Sequence, residues 1–159
     1  MTPGTEGTEG TERTHPQRQG AVIAIDHGTK RVGFAVGDAL RISAQALEPW
    51  EARSAEAPLL DHIQRLIAER TVSTLLVGVP YDATGHEGSR AREVATFVRE
   101  LRARFPALDV VVHDERLTTK AAEDLLREAG HHGDERKRRR DSWSALVLLR
   151  DWIASGEPG

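Results

Sequence analysis

Apolar residues along this chain gather into short unbroken runs, separated by stretches in which they recur every three or four positions. Ala21–Ile25 is one such run; it ends in Asp26, passes through His27-Gly28-Thr29-Lys30-Arg31 and resumes as Val32–Val36. Unbroken apolar runs of this length read as strands covered on both faces. Residues 21–26 and 32–37 are therefore expected to pair, with Gly28 giving the backbone freedom to turn between them. A third strand is expected over Ile42–Trp50. Helical spacing follows in Leu59, Leu60, Ile63, Leu66 and Ile67, with Ser54 as a candidate cap and Pro58 in the first turn. Thr74–Val79 again lacks alternation and reads as a buried strand. Ala91, Val94, Ala95, Val98 and Leu101 mark a helix from about Ser89 to Phe105, stopped by Pro106.

Val110–Val112 gives a fifth strand, ending in His113-Asp114-Glu115-Arg116. Thr118 or Thr119 is placed to cap a helix that closes at Gly130. A last helix is expected to start near Arg139 and to bury Leu146, Leu149 and Ile153. This order predicts an α/β fold built on a mixed five-stranded sheet. Its first three strands form an antiparallel meander, and strands 4 and 5 arrive through crossovers, parallel to strand 1. Helices cover both faces, giving three layers.

The ends read differently. Thr5-Glu-Gly-Thr-Glu-Gly-Thr-Glu12 has no apolar residue to pack, so 1–19 is expected to be a disordered low-complexity tail. Residues 20–154 form the expected domain, and 155–159 a flexible C-terminus. A chain of 159 residues suits one domain that buries roughly two-thirds of its unfolded surface. Charged residues make up 30% and hydrophobic residues 38%, which excludes an integral membrane protein. No apolar run approaches the roughly 18 residues of a spanning helix. With no cationic-then-apolar leader, a cytoplasmic location is expected. The absence of cysteine excludes disulfides, thiolate catalysis and Cys-ligated zinc. A net charge of −3 argues against a uniformly basic nucleic-acid binder, so the distribution of charge matters more than its sum.

Acidic residues stand where elements end: Asp26 after strand 1, Asp114 and Glu115 after strand 5, and Asp141 at the start of the last helix. A carboxylate at the end of a buried strand is costly unless something cationic shares its site. At Asp26 two chemistries compete, a metal ion held against a phosphodiester and a nucleotide phosphate cradled by the hairpin. With strand 4 between strands 1 and 5, their terminal carboxylates would leave the same sheet edge, roughly 10 Å apart at the backbone. Like charges about 4 Å apart cost on the order of 4 kcal/mol at an effective dielectric of 20. Mg2+ or Mn2+ would reverse that sign, and an all-oxygen cluster suits these hard cations better than zinc. Asp114 and Glu115 point to opposite faces of a continuing strand, so only one can join the cluster. Ser144 and Ala145 are small enough to let the last helix approach the sheet and bring Asp141 into reach. The plain alternative is that these acids are solvated caps and turn residues; their joint placement at three element ends weighs against it.

Arg136, Lys137, Arg138, Arg139 and Arg140 immediately precede Asp141. Such a run is either a solvated flexible segment or a clamp for a phosphate backbone, and Lys30, Arg31 and Arg116 add positive charge near the same edge. Only seven residues are aromatic, so no interleaved set for base stacking is evident. Gly85-His-Glu-Gly88 before a helix is a weak anion-binding signal. His27 and His113 flank the acids, but a packing or surface role is favoured for each. His131-His132 has no helical partner and is rejected as a metal motif.

Taken in order, Asp26-His-Gly-Thr-Lys-Arg-Val-Gly-Phe-Ala-Val-Gly-Asp38, Val77-Gly-Val-Pro80 with Gly85-x-x-Gly88-x-x-Ala91-x-x-Val94, Asp114-Glu-Arg-Leu-Thr-Thr119 and Asp141-Ser-Trp-Ser-Ala145 resemble the YqgF (RuvX) family, nucleases of pre-16S ribosomal RNA related to Holliday-junction resolvases. The resemblance spans about residues 20–154. It implies an RNase H-like fold, a bacterial cytoplasmic location and metal-dependent phosphodiester cleavage. It also implies that Asp26, Glu115 and Asp141 are the catalytic, metal-holding acids. His27 stands at a variable position of the family, and Trp143 is bulkier than the residue often found there.

The reading that follows is an endonuclease in 5′-end maturation of pre-16S rRNA, holding one or two Mg2+ or Mn2+ ions and acting on RNA, free or within pre-ribosomal particles. A resolvase of branched DNA shares the chemistry but needs a dimer, and the sequence leaves monomer and homodimer open. A non-catalytic nucleic-acid-binding factor is a third reading. An actin-like or sugar-kinase ATPase would need two domains closing on ATP, more than this chain supplies.

Overall fold

The computed structural model describes residues 19–80, 88–115, 124, 127–128 and 133–159, and for 133–141 the backbone alone. The described elements are β1 (Ala21–His27), β2 (Arg31–Gly37), β3 (Ala44–Glu51), α1 (Leu59–Ala68), β4 (Val72–Val79), α2 (Ser89–Arg104), β5 (Asp109–Asp114) and α3 (Gly133–Ala154). The strands form one sheet in the order β3-β2-β1-β4-β5. β1–β2 and β2–β3 are antiparallel, while β1–β4 and β4–β5 are parallel. The expected meander and crossovers are thus both present.

Central position explains why β1 is apolar up to Asp26: Val22, Ile23, Ala24 and Ile25 are fully buried. Side chains alternate between two cores, as the strand period requires. Ile23 and Ile25 join Phe34, Leu75, Val77 and Val110 beneath α1 and α2, where Ile63, Ala91, Val94, Phe97, Val98 and Leu101 close one layer. Val22 and Ala24 join Ala35, Leu76 and Val111 beneath α3, sealed by Ala145, Leu146, Leu148, Leu149 and Trp152. Two helices on one face and one on the other complete the three layers.

Several boundaries differ from expectation. Helix α3 begins at Gly133 rather than near Arg139, so the basic run 136–140 lies within the helix. Ser54 lies in the turn after β3, its amide donating to Glu51 O at 3.2 Å, and Pro58 takes the N-cap position of α1 with no side-chain cap bond. Two contacts tie the C-terminal residues to the domain. Glu157 pairs with Arg41 at 2.9 Å, and Trp152 Nε1 donates to Pro158 O at 2.9 Å. Of the helix expected over 118–130, only Asp124, Arg127 and Glu128 are described, and these are helical. Residues 1–18, 81–87 and His131-His132 lie outside the described residues. Among the described residues no helix is long and apolar enough to cross a membrane.

Candidate active site

Strand register decides which acids meet. Asp26 follows Ile25 on β1, so it takes the α3 face with Val22 and Ala24. Directly across from it on β2 stands Gly33. On its other side, one step beyond the Ile25–Val77 pair, stands Gly78 of β4. Asp26 is therefore flanked by two residues without side chains.

β5 supplies the next carboxylate. Val110 faces the α1/α2 core and Val111 the α3 core, so alternation sends Asp114 to the former side and Glu115 to the latter. The Glu115 amide extends the ladder by donating to Val79 O at 3.2 Å. Its side chain lies over Gly78: a Cβ built there would fall 2.3 Å from Glu115 Oε2 and 3.1 Å from both Glu115 Cβ and Leu148 Cδ2. Gly78 thus leaves the space that Glu115 fills, between β4 and α3. Asp26 and Glu115 are brought to one face at one end of the sheet, on either side of Gly78. Asp114 is not.

Helix α3 reaches the same end. Ser142, Ser144 and Ala145 are buried, the close approach expected of small residues. Ser142 Oγ accepts from the Phe34 amide at 3.1 Å, where β2 changes register against β3. Position 141 falls one helical turn before Ala145, on the stripe that continues through Leu148 to Trp152. The Asp141 side chain lies outside the described residues. Among the described ones no three acidic or histidine side chains converge on a point.

The hairpin that follows Asp26 is tight. Gly28 donates to Arg31 O at 2.9 Å, and a Cβ on Gly28 would lie 2.4 Å from that oxygen, so no larger residue fits this turn. Lys30 is exposed at its tip, and Arg31 is partly buried where β2 begins. Arg116 lies outside the described residues. Residues 136–140 belong to the first turns of α3, ahead of position 141.

The two flanking histidines turn to other partners. His27 stacks on Phe97 of α2 with ring centroids 4.4 Å apart, on the face opposite Asp26. Burial holds its imidazole below the ordinary value, with the Arg90 charge adding to that and Glu93 opposing it. His113 meets Asp151 of α3 at 2.7 Å. Arg90, in the first turn of α2, donates to the His27 carbonyl and pairs with Glu93, so the backbone just beyond Asp26 is tied to α2. Sequence reasoning missed Gly33, Gly78, Ser142 and Arg90. The signal for Gly78 was present, since a lone glycine inside an apolar strand marks a close approach.

A five-stranded mixed sheet of this order, layered by helices and carrying acids at one end, is the RNase H-like architecture. Among solved structures, the RuvC of T. thermophilus in complex with Holliday junction substrate superposes with a TM-score of 0.50, covering 87% of this chain and 97% of its own. At 16% identity that likeness speaks to the fold. The RuvX family model, described as a Holliday junction resolvase, matches residues 20–155. A Halalkalibacterium halodurans protein named "Putative pre-16S rRNA nuclease" is 38% identical over 132 residues, 82% of this chain and 94% of its own length. One of the same name from Chromohalobacter salexigens is 38% identical over 136 residues, 86% of this chain and 90% of its own. The chain belongs to the RuvX family, a family of resolvase-like nucleases and hence hydrolases.

Proposed function

We propose that this protein is a metal-dependent endonuclease that cleaves phosphodiester bonds in the cytoplasm, in 5′-end maturation of pre-16S rRNA. The observation that carries the reading is the placement of Asp26 and Glu115 on one face at one end of the sheet, with Glu115 seated over Gly78. An acid pair of this kind is repulsive alone and favours a hard divalent cation. Asp141, one turn before Ala145, is the third member in this reading. The donor set is all carboxylate and fits Mg2+ or Mn2+, as one or two ions.

When bound, such ions lower the pKa of an attacking water and neutralise charge on the leaving oxygen. The chain's own residues do the rest. Gly78 and Leu148 seat Glu115, and the Gly28 turn with the Arg90 tie to His27 O fixes the strand end that presents Asp26. Lys30, Arg31, Arg116 and the helical run Arg136, Lys137, Arg138, Arg139 and Arg140 hold the phosphate backbone, a binding that weakens steeply with salt.

Asp26→Asn tests this. Metal-stimulated cleavage should fall by more than about 100-fold, the upper end of the loss from removing a mere outer-shell partner. Folding and RNA binding should remain. Undiminished cleavage sinks the acid assignment. A wild-type chain that binds RNA yet cuts nothing with Mg2+ or Mn2+ is instead a non-catalytic binding factor.

The family model's own description favours a second reading, a resolvase of branched DNA. Cleavage of a pre-16S rRNA fragment against a four-way DNA junction separates the two. The leading reading expects the RNA to be cut faster, and symmetric junction cutting by a dimer reverses the order.

A further inference from the structure

The outer face of α2 carries charge that its own sequence does not balance. The whole chain has a net charge of −3, yet Ser89–Arg104 holds five arginines against two glutamates, a net of +3. Residues three and four apart are neighbours on a helix, and these are the positions where an acid would pair with an arginine. Glu93 has Arg90 at such a position and forms the pair. Glu100 has Arg104, which reaches across to Asp61 and Gln64 of α1. Arg92, Arg99 and Arg102 have no acid at any of these positions; their neighbours are small, hydroxyl-bearing or apolar residues and one another.

These three arginines are exposed and lie along one stripe. Ala91, Val94, Phe97, Val98 and Leu101 define the core side of α2. At about 100° per residue, Arg92 and Arg99 stand nearly opposite that side. Arg102 stands on the β5 flank, where it donates to Val110 O at 2.9 Å. Glu93 and Glu100 fall on the other flank, with Arg104, which faces α1. Arg99 is also aimed. Its Nη2 donates to Thr96 Oγ1 at 3.1 Å, and Thr96 Oγ1 donates to Arg92 O at 3.2 Å. The Arg99 guanidinium is thereby turned back toward Arg92, one cation toward another. Among the described residues, none of the three arginines forms an ion pair with an acid.

We propose that this stripe holds the sugar–phosphate backbone of the substrate on one side of the cut. The inference rests on the nuclease reading and deepens it: the substrate is a nucleic acid whose flank leaves the acid face and runs along α2. Like charges turned together on an otherwise acidic chain favour an anion between them. Guanidinium groups meet phosphate with two parallel bonds. Location agrees. α2 starts at the end of the sheet that carries Asp26, since Arg90 in its first turn donates to His27 O. Arg92 comes two residues later, and Arg102 lies about 15 Å beyond it at about 1.5 Å per residue. One strand of a duplex presents a phosphate about every 3.4 Å, so the stripe spans roughly four of them. Between the arginines stand only Ala95, Thr96 and Ala103, all exposed. This face offers charge to a backbone and no aromatic ring to a base, so its binding is independent of sequence.

The test is binding to a pre-16S rRNA fragment across a range of salt, read in EDTA so that no strand is cut. Arg92→Gln with Arg99→Gln should weaken binding about tenfold and reduce the slope of log affinity against log salt by about 1.5–2, for two lost phosphate contacts. Each substitution alone should give about half that change in slope. Arg92→Lys with Arg99→Lys keeps both charges and should keep most of the slope. Arg104→Gln removes a charge already engaged by Asp61 and should change neither quantity. The deficit of the double glutamine variant should vanish on an RNA trimmed close to its cut, and should not depend on the sequence of the flank. Unchanged affinity and slope in the double glutamine variant, or an equal fall in Arg104→Gln, overturns the inference while leaving the nuclease reading intact; the stripe would then suit an acidic protein instead. A wild type that binds no RNA overturns both.

Discussion

Gly78→Ala is the perturbation whose outcome follows most closely from the structure. The new methyl would fall 2.3 Å from Glu115 Oε2 and 3.1 Å from Glu115 Cβ and Leu148 Cδ2. The carboxylate end is flexible and will move away, but the two carbons must each give by a few tenths of an ångström. Overpacking of this kind costs about 1–3 kcal/mol. Alanine recovers about 0.5–1 kcal/mol of the entropic penalty of glycine in a strand. The net loss is therefore about 0–2.5 kcal/mol, a fall in Tm of at most about 10 °C for a domain near this size. Cleavage should suffer out of proportion, because Glu115 is expelled from the face it shares with Asp26: we expect a fall of more than about 100-fold. The assays are urea denaturation and metal-dependent cleavage of a labelled strand. Glu115→Gln should copy the activity loss without the steric cost, and Asp114→Asn, on the opposite face, should copy neither. Gly78→Ala with wild-type cleavage would refute the seating of Glu115 over Gly78 as a functional arrangement.

Two further outcomes concern stability. Ser142→Ala removes the acceptor of the Phe34 amide and should cost about 1–3 kcal/mol by urea denaturation, the usual penalty of a buried unpaired donor; no change would show that water replaces the hydroxyl. Burial, with the Arg65 charge, holds His62 below its ordinary value of 6.5, Glu69 opposing. The unfolded chain therefore takes up this proton first as pH falls, so His62 contributes stability that is present above pH 6.5 and lost below it until the native imidazole itself titrates. Denaturation midpoints between about pH 7.5 and about pH 5.5 should fall less in His62→Phe than in the wild type; identical slopes would contradict the burial argument.

The sheet was legible because its strands are short apolar runs bounded by turn residues, and the crossovers through α1 and α2 left little freedom in their order. Alternation at Val110–Val112 also implied that only one of Asp114 and Glu115 could face α3, but which one depends on a single residue of register, set by pairing with β4. The start of α3 was missed for a different reason. Gly133–Arg140 has no apolar period, yet Glu, Lys and Arg are strong helix formers and extend the amphipathic segment backward. The tie of Ser142 to Phe34 spans 108 residues and leaves no local trace. The bulge of β3 at Glu48 and Pro49, where three steps oppose two on β2, likewise left no trace in the apolar pattern.

The central claim is that Asp26, Glu115 and Asp141 together hold a divalent cation. A crystal of the wild-type protein soaked in Mn2+, read by anomalous scattering, tests it directly. A peak is expected on the α3 face, bounded by Asp26 and Glu115 with Asp141 closing the site from the helix. A peak held by Asp114 on the opposite face, or none near Asp26 at saturating Mn2+, would contradict it.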